Sequence, residues 1–62
     1  MTLKTALRIC GYTMKDLWDR LLSRGAKINR TDFMKCSGAI CPGSRPWWND
    51  ILSCLDDMGV DW

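Results

Sequence analysis

YTMKDLWDRLLSRGAKINRTDFMKCSG, from Tyr12 to Gly38, decides the fold, because it writes two short helices in succession and gives each its own start and stop. Thr13 and Asp16 are spaced as a capping box, in which the hydroxyl accepts from the Asp16 amide while the carboxylate accepts from the Thr13 amide. Tyr12, just before that cap, and Leu17, four residues past it, are placed to touch as a hydrophobic staple. The device repeats, with Asn29 and Asp32 as the second cap and Ile28 and Phe33 as the second staple. Gly25 and Gly38 stand where each helix should end, and glycine supplies the left-handed residue of a helix stop without a steric penalty.

The flanking segments extend the pattern. Leu3, Ala6, Leu7 and Cys10 recur at helical spacing behind Thr2 as a cap, with Gly11 as terminator, which predicts a helix over about 2–10. In the second helix, 14–24, Leu17, Trp18, Leu21 and Leu22 form the expected buried stripe, and Lys15, Asp19, Arg20 and Ser23 face away. A helix of about eleven residues is too short to be stable alone in water, so packing must order it. The third, 30–37, offers Phe33, Met34 and Cys36 to the core and leaves Arg30, Thr31, Lys35 and Ser37 outside. AICPGSR, 39–45, reads as a turn-bearing loop around Pro42 and Gly43. A fourth helix, 46–58, opens at Pro46 and stops at Gly59, with Trp48, Ile51, Leu52, Leu55 and Met58 inward and Val60 folding back on the last turn. With no strand pattern, repeat or linker, the predicted fold is all-α. It is a small single-domain bundle of four to five short helices over 1–62.

At 62 residues the chain buries only about 60% of its unfolded surface, which leaves no room for an enclosed catalytic cleft. It holds no His and no Glu, no nucleophile beside a base and no glycine-rich phosphate loop, so an enzyme is not expected. The net charge of +2 is small but unevenly spread. Up to Arg45 nine basic residues face three acidic ones, and every charge beyond Arg45 is acidic: Asp50, Asp56, Asp57 and Asp61. Lys4 and Arg8 interrupt the first residues where a signal peptide needs an apolar core, and no run approaches the roughly 20 apolar residues of a membrane span. A cytoplasmic protein without membrane contact is therefore expected, with reduced thiols. Cys10, Cys36 and Cys54 fall on apolar faces as packing residues, and the Cys-x4-Cys spacing of Cys36 and Cys41 is a poor zinc pattern, so neither metal nor cofactor is expected.

Two capped helices with a glycine in the connection form the helix-turn-helix signature. The order of features, LKTALRICG, YTMKDLWDRL, INRTDFMKCSG and RPWWNDILSCLDDMGV, resembles the Cro and phage-repressor family of helix-turn-helix DNA-binding domains over nearly the whole chain. Its most specific parts are TMKDLWDRL, which looks like the family's second helix, and PWWNDILSCLDDMGV, which looks like its closing helix. The chain departs from the family in the bulk of Trp18 and in a connection, SRGAKIN, about three residues longer than the family's tight turn. The resemblance implies a sequence-specific double-stranded DNA-binding transcriptional regulator, a repressor, whose third helix enters the major groove while the start of the second meets the backbone. Arg30 suits guanine, Asn29 adenine if capping leaves it free, and Thr31 a thymine methyl. Lys15, Arg24, Lys27 and Lys35, with the amides opening the second helix, suit phosphates. Each of these cations, taken singly, also fits a solvated helix face.

The alternative is a small protein-binding inhibitor or adaptor whose contact residues are Trp47, Trp48 and Trp62. One helical turn should not bury both adjacent indoles, and tryptophan is enriched at interface hot spots. Both lining a small core together with Trp18 is the competing expectation. In the DNA-binding reading the surplus indoles serve a homodimer, since a monomer of this size binds few phosphates and paired half-sites raise affinity.

Overall fold

Thr2 is extended and its hydroxyl accepts from the Thr5 amide at 3.2 Å, so α1 begins at Leu3 and runs Leu3–Ile9 in the computed structural model, which describes residues 1–62. Two further amides of its first turn are satisfied from far along the chain: Leu3 donates to the Ala39 carbonyl at 2.9 Å and Lys4 to that of Ser37 at 3.1 Å. The Leu3, Lys4 and Thr5 amides of this helix start are therefore all paired, which matters because unpaired helix ends are costly when covered. Gly11 follows with φ 82° and turns the chain into the next cap.

The predicted capping box forms in full: Asp16 N donates to Thr13 Oγ1 at 3.2 Å, and Thr13 N donates to Asp16 Oδ2 at 2.8 Å. It opens α2, Met14–Ser23, and Gly25, at φ 73°, closes it. Asn29 opens α3, Arg30–Cys36, with Oδ1 accepting from the Asp32 amide at 2.8 Å, and buried Ile28 and Phe33 flank that start as the staple pattern requires. Gly38 does not take a positive φ, contrary to the expectation for a helix stop. The chain leaves α3 through a turn that aims the Ser37 and Ala39 carbonyls at α1, and those bonds fix Gly38 instead of a left-handed stop.

The last helix, α4, is Trp48–Met58, two residues shorter at its start than predicted. Pro46 and Trp47 lie in a preceding turn, where Trp48 N donates to the Arg45 carbonyl and Asn49 N to that of Pro46. Gly59, at φ 74°, ends the helix, and Val60 N reaches back to the Leu55 carbonyl at 2.8 Å while its side chain is buried.

The core lies where α2 packs on α4, centred on fully buried Leu17, Leu21 and Ile51 with Leu3 and Leu7 from α1. Each such side chain contributes about 1.5–3 kcal/mol on burial. The stripes are narrower and slightly rotated relative to the sequence reading. Leu22 is 53% exposed, Met34 and Leu52 are exposed, Cys10 is exposed, and Trp18 is half-buried, whereas Cys54 is buried. A short helix touching one partner covers only a narrow face, so residues at the stripe's edge stay wet. No helix is long and apolar enough to cross a membrane.

Three indoles close the far end. Trp48 is 7% exposed, stacks on Trp62 at 5.7 Å and lies 5.1 Å from Trp47. Trp62 Nε1 donates to the Met1 carbonyl at 3.2 Å, tying the two ends of the chain. Gly43 explains how the 39–45 loop fits beside them: a Cβ there would sit 2.5 Å from Trp48 Nε1, so only glycine permits this approach.

Candidate functional site

The end of α3 is hydrogen-bonded to the start of α1, and α2 crosses beside both, so the three helices enclose a groove of about 630 Å³. Its floor is apolar. Trp18 of α2 and Phe33 of α3 make a tilted pair with ring centroids 4.8 Å apart, and Tyr12, Met14 and Met34 extend the surface they form. Its rim is cationic: Lys4 and Arg8 from α1, Lys15 from the first turn of α2, and Arg30 from the start of α3, against the single acid Asp19. Over the ridge of α3 a shallower depression is lined by Arg30, Thr31, Met34 and Lys35, so Arg30 and Met34 belong to both.

Local sequence explains why α3 presents these groups. Only Phe33 and Cys36 of its seven residues are buried, one helical turn apart, and Cys36 Sγ donates to the Asp32 carbonyl at 3.2 Å. Burial first, and the Asp32 charge second, push the Cys36 thiol above its ordinary value, which keeps it a neutral packing group. Cys54 on α4 is likewise raised by burial, offset in part by Arg24. Asp16 in the first turn of α2 is held below the ordinary carboxylate value, chiefly by the Thr13 amide, then by the Thr13 hydroxyl. Its charge is thus committed to the cap of α2.

Of the residues expected to meet DNA, Lys15, Arg30, Thr31 and Lys35 are exposed along one continuous surface. Lys27 is exposed in the α2–α3 connection. Asn29 is the exception on chemistry, since its Oδ1 is engaged in capping and is not free to accept from adenine. Arg24 is the exception on placement: its guanidinium pairs with Asp57 of α4, both partly exposed, in a depression that also holds Asp16 and Asp19. Among the tryptophans expected as contact residues, Trp48 is buried in the core, while Trp47 and Trp62 are half-buried against it. Lys4 and Arg8 were not among the expected site residues. Their i, i+4 spacing opposite buried Leu3 and Leu7 marks them as one exposed face, but only the backbone bonds to α3 bring that face to the groove.

No group of three or more His, Cys, Asp or Glu residues is placed to hold a metal ion. Comparison with protein-family models, curated proteins and solved structures gives no match.

Proposed function

We propose that this protein is a sequence-specific double-stranded DNA-binding transcriptional regulator, a repressor acting in the cytoplasm, with α3 as the helix that enters the major groove. What supports the reading most is the outward face of α3, where Arg30, Thr31 and Lys35 stand exposed beside Lys15 at the capped start of α2. A major groove about 12 Å wide admits one helix, and seven residues give about 10 Å of it. In this reading Arg30 pairs with a guanine edge and Thr31 meets a thymine methyl. Lys15, Lys27 and Lys35 hold phosphates, while Asn29 orients the helix through its cap. The resemblance to the Cro and phage-repressor family points the same way. A homodimer would pair through the remaining accessible surface of Trp47 and Trp62, because Trp48 is internal.

Fluorescence anisotropy of duplex DNA at two salt concentrations tests this. Arg30→Ala is expected to cost about 1–3 kcal/mol of specific binding and to relax preference at one base pair. Lys35→Ala should weaken all duplexes alike and lower the salt slope by about one ion. Wild-type protein that binds neither random nor genomic duplexes in a salt-sensitive way at micromolar concentration would end the proposal.

A further inference from the structure

The groove between α1, α2 and α3 has a property that duplex DNA does not use. Phosphates reward its cations, but nothing in a sugar-phosphate backbone rewards a floor made by Trp18, Phe33, Met14 and Met34. Met34 is 61% exposed at the middle of α3, where a solvated helix face would carry a polar residue. We propose that this groove is the docking site for an acidic amphipathic helix of a partner protein.

Complementarity of charge selects that occupant. Lys4 and Arg8 stand on the α1 side, Arg30 on the α3 side, and Lys15 at the start of α2, so an apolar stripe lying on the floor is flanked by cations. A helix with Leu or Phe at i, i+3, i+4 and i+7 and Glu or Asp beside that stripe matches both features, which is the helix-in-groove mode. Scale agrees: three to four turns span about 16–22 Å, within the 26 Å longest dimension of the molecule. Methionines at positions 14 and 34 give the floor unbranched side chains that adapt to different anchors. The walls are fixed, because the Leu3–Ala39 and Lys4–Ser37 bonds lock α1 to the exit of α3. Since Arg30 and Lys15 also belong to the proposed DNA face, the acidic helix and a duplex exclude each other, and such a partner would release the protein from DNA.

The test uses the full chain and three synthetic peptides of about 16 residues. The first has a Leu/Phe stripe flanked by Glu, the second has the same stripe flanked by Lys, and the third has the Glu charge without the stripe. Isothermal titration and 1H–15N and methyl NMR follow binding. The expected result is saturable micromolar binding of the first, with shifts at the Trp18 indole and the Met34 methyl and none at Trp47, Trp48 or Trp62. The other two peptides should bind about tenfold more weakly or worse. Met34→Asp and, separately, Arg8→Glu should each weaken the first peptide by about tenfold. Three results would overturn the proposal: no binding at millimolar peptide, equal binding of either control, or shifts confined to the tryptophan cluster. Loss of duplex binding in the wild-type protein would leave it standing, so the two proposals fail separately.

Discussion

Each of the first three helices starts on a side-chain cap, Thr2, Thr13 or Asn29, whereas α4 starts on none; Trp47 precedes it in helical conformation with no side-chain bond to the helix amides. The two regions solve the problem of a small core differently. In the first, short polar residues end-cap helices of seven to ten residues, aliphatic side chains meet α4, and the long cations stay on the surface. In the second, five of the eleven α4 residues are buried, and stacked indoles close the end. Caps fix a helix without using its outer face, so the capped region keeps a chemically varied surface. The indole region packs its largest side chains on one another and leaves only part of Trp47 and Trp62 accessible.

The largest expected effect lies in the second region. Trp48→Ala removes the ring that both other indoles lean on and should cost about 3–5 kcal/mol, comparable to the whole stability of a domain this small. Circular dichroism should then show an unfolded chain at room temperature; a cooperative melt close to the parent's would show that α4 does not depend on the stack. Gly43→Ala comes next. Its methyl group would meet the Trp48 ring, which is wedged between Trp47 and Trp62, so overpacking of about 1–3 kcal/mol is expected in urea denaturation. An unchanged midpoint would mean the 39–45 loop moves aside freely.

The smallest effect belongs to the capped region. Thr13→Ala should cost about 1 kcal/mol at neutral pH by removing the α2 cap. Because the folded-state carboxyl of Asp16 is lowered from 3.8, the box contributes stability above that ordinary value and loses it as pH falls through the lowered one. Thr13→Ala keeps the residue-13 amide that Asp16 accepts from, so its deficit should persist in acid, whereas Asp16→Ala and the parent should converge there. An Asp16→Ala melt difference that stays constant between neutral and strongly acidic pH would show that the Asp16 carboxylate takes no part.

Local features were legible in the sequence and non-local ones were not. The box at Thr13, the single-bond cap at Asn29 and the stops at Gly25 and Gly59 depend on residues three or four apart, and all of them form. Gly38 misled because its conformation is set by hydrogen bonds to α1, more than thirty positions away. The stripes were drawn too wide at Leu22, Met34 and Leu52, since periodicity gives the direction of a face but not how much of it a neighbour covers. For the candidate site, Arg30, Thr31 and Lys35 followed from the polar face of α3. The groove did not, because half of its rim comes from α1 through a contact that no spacing rule encodes.

The placement of the indoles gives the molecule two separate optical reporters. Trp47 and Trp62 each lie within about one ring width of Trp48, so their excited states couple and should give a strong near-ultraviolet dichroic band that vanishes as soon as the packing loosens, even while the helices persist. Trp18, against Phe33 and at the groove, lies outside that stack and emits from the surface that a ligand would cover. A spectrum that keeps the coupled band while its emission shifts therefore reports occupancy of the groove without unfolding, in the unlabelled chain.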